Sequence, residues 1–173
     1  MTVQTDVKQS RLTQSGWIVS VPCRVKGVSI RNSTAAVGRV FLFDTTSVPV
    51  TAAYAQSGTT VTVTKTAHGL VTGDVIGIGY SPDASQRAAT CGQYSITKVD
   101  ADTFTITDPN SFTVSSSTAC YYTPNGAWMY VKGLSAADQF INYELIPGEG
   151  IRAKNKVYVI ISSAIQSCIV YYG

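Results

Sequence analysis

Charged residues are scarce in this sequence. Asp, Glu, Lys and Arg make up 13% of the 173 residues, well below the ~25% of an ordinary soluble domain. Glu, Lys and Leu, which usually cover helix faces, are also few, whereas Thr, Val, Ser, Tyr and Ile are abundant. Because β-branched and aromatic residues suit a pleated, half-buried surface, the composition predicts an all-β protein. Its neutral polar surface is typical of proteins that pack against neighbours.

Long apolar runs are missing as well. The longest aliphatic stretch, from Val157 to Ile161, is much shorter than the ~20 residues that a membrane span needs. The N-terminal residues contain no apolar core of a signal peptide. We therefore expect a soluble protein made in a cytoplasm, with no membrane partner.

Metal-binding patterns are absent. The four cysteines, Cys23, Cys91, Cys120 and Cys168, are widely spaced without a CxxC pair, and His68 is the only histidine. Zinc sites usually need two close pairs of ligands, so we expect no metal or cofactor. Buried free thiols are the favoured state in a reducing compartment, and a disulfide between Cys91 and Cys120 is the alternative.

Candidates for catalysis are few. His68 lies in a turn flanked by glycine, where we expect it to bond the turn backbone. Two pairs of carboxylates, Asp100 with Asp102 and Glu144 with Glu149, have the residue types that glycosidic cleavage uses. Because Asp is common in turns for local reasons, Asp100 and Asp102 are interpreted as a hairpin connection. We predict that the chain is not an enzyme, with a polysaccharide-cleaving enzyme as a weaker alternative.

Alternation of apolar and polar residues runs through most of the chain and predicts strands. The last predicted strand runs from Ile165 to Tyr172. Its character changes at the stretch TSVPVTAAYAQSG and again after PNG. Residues 1–53 and 126–173 are therefore predicted to form one module, an antiparallel β-sandwich or a jelly-roll-like fold. Residues 54–125 are predicted to form a second, small β-sandwich or barrel inserted into the first.

Turn residues suggest where the strands end. In the inserted module we expect strands of about five residues, recurring roughly every dozen positions. In the first module the alternation changes phase near Gly27, which predicts a bulge there. The stretch from Ser135 to Gln139 is the one candidate for a short helix, with Ser135 as its N-cap.

Charge divides unevenly between the modules. Residues 55–125 carry three bases and five acids, whereas the remaining residues carry ten bases and five acids. Several bases lie near the N-terminus, but solvent-facing strand positions explain them better than nucleic-acid binding, which is not expected. Aromatic residues either form an interface or belong to the core. The candidate partner contacts are Lys8, Arg11, Trp17, Arg24, Lys26, Arg31, Trp128, Tyr171 and Tyr172.

Three stretches of the insert resemble a known module. They are VTVTKTAHGLVTGDVIGI at Val61–Ile78, Gly92–Thr97 and Val99–Thr107. Together they are similar to a small β-module that recurs in tail and fibre proteins of tailed bacteriophages. That module is grouped by sequence with a half-domain of ubiquitin-activating enzymes, and the grouping implies no chemistry here.

The flanking module resembles short, one-domain virion proteins of phages. The resemblance rests on short motifs: Asp6–Lys8, Arg11–Thr13, Arg24–Val28, Ile146–Ile151 and Ile169–Gly173. The insert itself departs from that group.

Together the resemblances imply a structural protein of a tailed-phage virion, made in the host cytoplasm. A decoration or cement protein on the capsid is the favoured role, with the major capsid protein as partner and with several copies associating as a homo-oligomer. The alternative is a tail or tail-tip protein that binds a glycan or receptor on the host surface.

Overall fold

Every regular element that the structure describes is a β-strand. The computed structural model describes residues 7–32, 37–83, 85–134 and 142–173, so the predicted helix at 135–139 lies outside the described residues. The all-β prediction is confirmed. In chain order the strands are β1 Lys8–Leu12, β2 Gly16–Val19, β3 Cys23–Asn32, β4 Gly38–Thr45, β5 Val50–Thr64, β6 Val75–Tyr80, β7 Gly92–Ser95, β8 Thr97–Lys98, β9 Thr103–Pro124, β10 Ala127–Leu134, β11 Asn142–Leu145, β12 Ile151–Ala153, β13 Lys156–Ile161 and β14 Ile165–Tyr172.

The chain divides into two compact units. One contains residues 1–46 and 129–173, here called the scaffold unit, and the other contains residues 47–128, here called the inserted unit. The sequence predicts an inserted module with boundaries at residues 54 and 125 instead. Strand β5 runs unbroken through Tyr54, so the change in sequence character at that point falls inside a strand.

The scaffold unit is a sandwich of two antiparallel sheets. Sheet A has the order β1-β14-β3, and β11 and β12 both pair with the far edge of β3. Sheet B has the order β10-β4-β13-β2. The predicted β-sandwich is therefore confirmed.

Apolar side chains from both sheets form the core of the sandwich. Most strands contribute alternate residues to this core, such as Val157 and Val159 of β13, while the intervening residues of β4 and β13 are buried as well. Full burial of one such side chain stabilises the fold by roughly 1.5–3 kcal/mol. The fully buried members of this core include Val25, Val28, Ile30, Val40, Leu42, Val157, Val159, Cys168 and Val170.

A bulge interrupts the pairing of β14 with β3. Tyr171 pairs with Gly27, but the next residue, Tyr172, pairs with Val25, so the register shifts between them. The bulge predicted near Gly27 is confirmed. On the other edge of β3, pairing with β11 ends at Gly27 and pairing with β12 begins at Val25. The bulge is thus also the point where β3 changes partners.

An ion pair joins an edge strand of sheet B to an edge strand of sheet A. The Nζ atom of Lys132 on β10 lies 2.6 Å from Oε2 of Glu144 on β11. Hydrogen bonds from Lys132 and Tyr130 lower the pKa of the Glu144 carboxyl below its ordinary value. The pair therefore bridges the two sheets along one side of the sandwich.

The inserted unit contains a single curled sheet, sheet C. Its order is β5-β9-β6-β7, and β8 pairs with the beginning of β9. Because β6 pairs with the end of β9, and only Ile96 separates β7 from β8, the sheet curls towards itself. Its concave side encloses a second core that includes Tyr54, Val61, Val63, Ile76, Ile78, Tyr80, Ile96, Phe104, Cys120 and Tyr122.

Two strands of sheet C are much longer than the predicted five residues. Strand β5 has 15 residues and β9 has 22. Register shifts between Tyr54 and Gln56 and between Gly58 and Thr60 let the β5-β9 ribbon bend without ending. Gln56 supports the bend, since its Nε2 donates to the carbonyls of Gly58 and Asn110. The turn-like residues QSG therefore mark bulges within a strand, which corrects the prediction of a break.

Substitution of Gly27 tests the bulge. A Cβ atom at this position would lie 2.9 Å from the Glu144 carbonyl oxygen, so the paired strands would have to shift. We expect Gly27→Ala to lower the free energy of unfolding by about 1–3 kcal/mol, measured by urea denaturation. Gly16→Ala is the control, because its Cβ meets its nearest neighbour at 3.8 Å. Equal stability of the two variants would contradict this account.

The Glu144 ion pair predicts a dependence of stability on pH. Because folding lowers the pKa of Glu144, the stabilisation is complete above the unfolded value of about 4.3 and is lost as the pH falls through the folded value. We expect the difference in unfolding free energy between the wild type and Glu144→Gln to shrink as the pH falls below about 4.

Glu149→Gln serves as the control for that measurement. Glu149 pairs with Arg24, but its side chain is 81% exposed, so its pair contributes little. A difference between the wild type and Glu144→Gln that stays constant across this pH range would show that the carboxylate charge is not what links the sheets.

Candidate functional site

The outer face of sheet A brings together residues from four strands. Arg11 on β1 pairs with Ile169 on β14, which pairs with Ser29 on β3, which pairs with Tyr143 on β11. Side chains directly opposite each other in antiparallel strands lie on the same face of the sheet. On the two central strands the flanking residues, Val28 and Ile30 of β3 and Cys168 and Val170 of β14, are buried in the core, so this row faces outward.

Two tyrosines and a leucine form the apolar centre of this face. The rings of Tyr143 and Tyr171 meet edge to face, with their centroids 5.4 Å apart. Tyr143 is 51% exposed and Leu145 is 65% exposed, which is a large exposure for apolar side chains on adjacent outward positions.

Two arginines flank a shallow concavity beside this centre. The concavity has a volume of about 230 Å³ and is lined by Arg11, Ser29, Arg31, Ser167 and Ile169. Within the described ranges, neither arginine has a carboxylate within ion-pairing distance. Guanidinium groups bind carboxylates and phosphates well, and serine hydroxyls can add hydrogen bonds.

We call this set of residues the outer-face patch. It combines unpaired positive charge with exposed aromatic and aliphatic surface, which is the composition of protein-binding hot spots. Its members are Arg11, Ser29, Arg31, Tyr143, Leu145, Ser167, Ile169 and Tyr171.

Other basic candidates from the sequence lie elsewhere in the scaffold unit. Lys8 pairs with Tyr172, and both line a separate concavity of about 260 Å³ with Val19, Val21, Pro22, Cys23 and Gly173. Arg24 forms an ion pair of 3.0 Å with Glu149. Lys26 lies within the bulge of β3, where its carbonyl accepts a hydrogen bond from the N–H of Ile146.

The two tryptophans are also apart from the patch. Trp17 lies on β2 of sheet B, where its ring packs edge to face against Tyr158 at 4.9 Å and Lys156 Nζ lies 5.6 Å from the ring centre. Trp128 belongs to the inserted unit. Of the nine sequence candidates, the structure therefore brings Arg11, Arg31 and Tyr171 together on one face.

Sequence reasoning missed five members of the patch: Ser29, Tyr143, Leu145, Ser167 and Ile169. The sequence carries a signal for β11, since Tyr143 and Leu145 alternate with Asn142 and Glu144. Alternation alone does not reveal which face is buried, because here the larger apolar residues point to solvent. The pairing of β11 with β3 is what shows that Tyr143 and Leu145 lie on the outer face of sheet A.

The cysteines are free thiols. Cys120 and Cys168 are buried, and burial raises the pKa of Cys168 to about 12 and that of Cys120 further. Cys23 and Cys91 are half-buried. Among the described residues, no group of three or more His, Cys, Asp or Glu side chains could hold a metal ion.

The candidate catalytic residues of the sequence take part in turns and ion pairs. Asp100 Oδ1 accepts the N–H of Asp102 at 2.8 Å, and Asp102 Oδ1 accepts the N–H of Ala67 at 2.7 Å. Glu144 and Glu149 pair with Lys132 and Arg24 respectively. The hairpin role predicted for the two aspartates is confirmed.

His68 links two turns of the inserted unit. Its Nδ1 accepts the N–H of Leu70 at 3.0 Å, so its proton is on Nε2, which donates to the Asp100 carbonyl at 3.1 Å. The ring also packs edge to face against Phe104. The predicted bond from His68 to the turn backbone is confirmed.

Removal of the His68 ring should destabilise the inserted unit. We expect His68→Ala to lower the free energy of unfolding by about 1–3 kcal/mol, because a backbone N–H and a carbonyl lose their partners. His68→Asn places an oxygen near the Nδ1 position and should recover part of the loss. Urea denaturation measures both, and an alanine variant as stable as the wild type would show that the linkage contributes nothing.

Comparisons with known proteins add no relative. No family model matches the chain, no curated protein matches it significantly, and no solved structure does so either. The described residues also contain no helix long and apolar enough to cross a membrane.

Proposed function

We propose that this protein is a structural component of a tailed-phage particle, and that it binds the capsid shell through its scaffold unit as a decoration or cement protein. The observation that carries the proposal is the outer-face patch. Arg11 and Arg31 would bind acidic groups of a shell subunit, while Tyr143, Leu145 and Tyr171 would pack against an apolar surface beside them.

The chemistry of the patch supports a protein partner. Tyr and Arg are enriched in protein interfaces, and a Tyr side chain offers a large contact area with little conformational freedom to lose. The pair of tyrosines is already held edge to face, so binding need not order it. The flanking arginines, which lack acidic partners among the described residues, would gain them from the shell.

The tail-tip alternative predicts a groove with aromatic and Asp or Asn side chains in the inserted unit. One concavity there, of about 230 Å³, contains Asp74 and Asn125 but no Tyr, Trp or Phe. The Asp74 carboxylate already accepts the N–H of Val71 at 2.9 Å. This concavity therefore offers less for glycan binding than the outer-face patch offers for protein binding.

Binding to shells tests the proposal. Purified protein is mixed with phage capsids that lack it, and the bound fraction is measured by co-sedimentation over a range of concentrations. We expect the wild type to bind, and the double variant Arg11→Ala/Arg31→Ala to bind at least about tenfold more weakly, which is ~1.4 kcal/mol. Added salt should weaken binding of the wild type more than that of the double variant.

Arg87→Ala is the control for this experiment. Arg87 is exposed in the inserted unit, and its backbone bonds with Asp83 do not depend on its side chain, so loss of this side chain should leave binding unchanged. Wild-type protein that ignores capsids but binds host envelopes would favour the tail-tip alternative. Equal binding by the wild type and the double variant would show that the arginines of the outer-face patch do not bind the shell.

A further inference from the structure

Strand β5 lies at the edge of sheet C. It pairs with β9 on one side, and no strand of the described ranges pairs with its other side. At 15 residues it is long for an edge strand, since strands usually have about 5–6 residues. An open edge presents backbone N–H and C=O groups that can pair with another chain.

The hydrogen bonds at the end of β5 show which of its residues face the open edge. The N–H of Lys65 donates to the Asp102 carbonyl at 2.8 Å, and this pair continues the register of Thr64 with Thr103. Antiparallel pairs alternate between hydrogen-bonded and non-hydrogen-bonded. Val63 and Val61 are therefore bonded to β9, whereas Thr60, Thr62 and Thr64 direct their N–H and C=O groups outward.

Strand β5 has bulges at Tyr54–Gln56 and Gly58–Thr60, but the residues beyond them, Thr60 to Thr64, carry no charge or proline that would hinder pairing. Natural proteins guard sheet edges with charged residues, proline or short strands. Strand β5, VTAAYAQSGTTVTVT, contains neither a charged residue nor a proline. Among the other described edge strands, β2 and β7 have only four residues, and the remaining five carry the charged residues Lys8, Arg11, Lys98, Lys132, Glu144 and Arg152.

The side chains at this edge are complementary to copies of themselves. Thr60, Thr62 and Thr64 pair across the sheet with Thr107, Thr105 and Thr103, and such cross-strand threonine pairs stabilise a sheet. A second antiparallel β5 would continue the same threonine pairing on the open side. This edge offers no charge to a charged partner, whereas a second copy matches it at Thr60, Thr62 and Thr64.

We propose that β5 pairs with β5 of a second copy of this chain, which forms a two-fold symmetric dimer. The axis passes beside Thr62, so that Thr62 faces Thr62 of the partner subunit and Thr60 faces Thr64 of the partner subunit. Each of these pairs exchanges two backbone hydrogen bonds. The interface shares no residue with the outer-face patch, so a test of the dimer is separate from a test of binding to a phage shell.

Charge substitutions at Thr62 test this interface. The symmetry places residue 62 opposite its own copy, so Thr62→Lys and Thr62→Glu each bring like charges together and should abolish the dimer. We expect sedimentation velocity to show a doubling of mass for the wild type as concentration rises, and a constant monomer mass for either variant alone. An equimolar mixture of the two variants should recover the doubled mass, because Lys then faces Glu.

Thr62→Val is the matched control, since it keeps the backbone groups and the β-branched shape and should still dimerise. Hydrogen exchange of the wild type provides a second measurement that needs no substitution. The backbone amides of Thr60, Thr62 and Thr64 should exchange more slowly at concentrations where the dimer forms than at low concentration. A wild type that stays monomeric, charge variants that still dimerise, or amides whose exchange does not change with concentration would overturn the proposal.

Discussion

Backbone hydrogen bonding at the edges of sheets is the constraint on which this structure depends. A chain built from strands must pair, cover or protect every edge, because an unpaired N–H or C=O group is a place where another chain can bind. The scaffold unit meets this requirement with short or charged edge strands, including the Lys132–Glu144 pair that joins β10 to β11. In the inserted unit β5 carries no charged residue, and no strand of the described residues pairs with its outer side.

The scarcity of charged residues also makes the outer-face patch distinctive. With few charged residues in the chain, two arginines without acidic partners among the described residues are a concentrated feature. They lie beside the exposed Tyr143 and the ring of Tyr171, which meet edge to face next to the bulge at Gly27. Four neighbouring strands, β1, β14, β3 and β11, thus combine to present one surface with both positive charge and exposed apolar side chains.

Much of the fold could be predicted because alternation and turn residues are local signals. The predicted strand from Ile165 to Tyr172 has the bounds of β14, and the phase change at Gly27 marks a real bulge. The lengths of β5 and β9 could not be predicted, because the residues QSG are equally typical of a turn and of bulges within a strand. Only the long-range pairing of β5 with β9, supported by Gln56, decides between them.

The candidate site was less accessible to sequence reasoning. Arg11, Arg31 and Tyr171 stand out by residue type, but their presence on one face follows from the register of β1, β14 and β3, which no local pattern encodes. Tyr143 and Leu145 resemble core residues in the sequence, yet their strand turns them to solvent. Which residues share a face is decided by the register of the strands in the assembled sheet.

The most direct test of the account is the position of this protein in the intact particle, determined by electron cryomicroscopy. The account predicts density for the scaffold unit on the capsid shell, with the outer face of sheet A in contact with shell subunits. Density confined to the tail, or a particle without this protein, would contradict it.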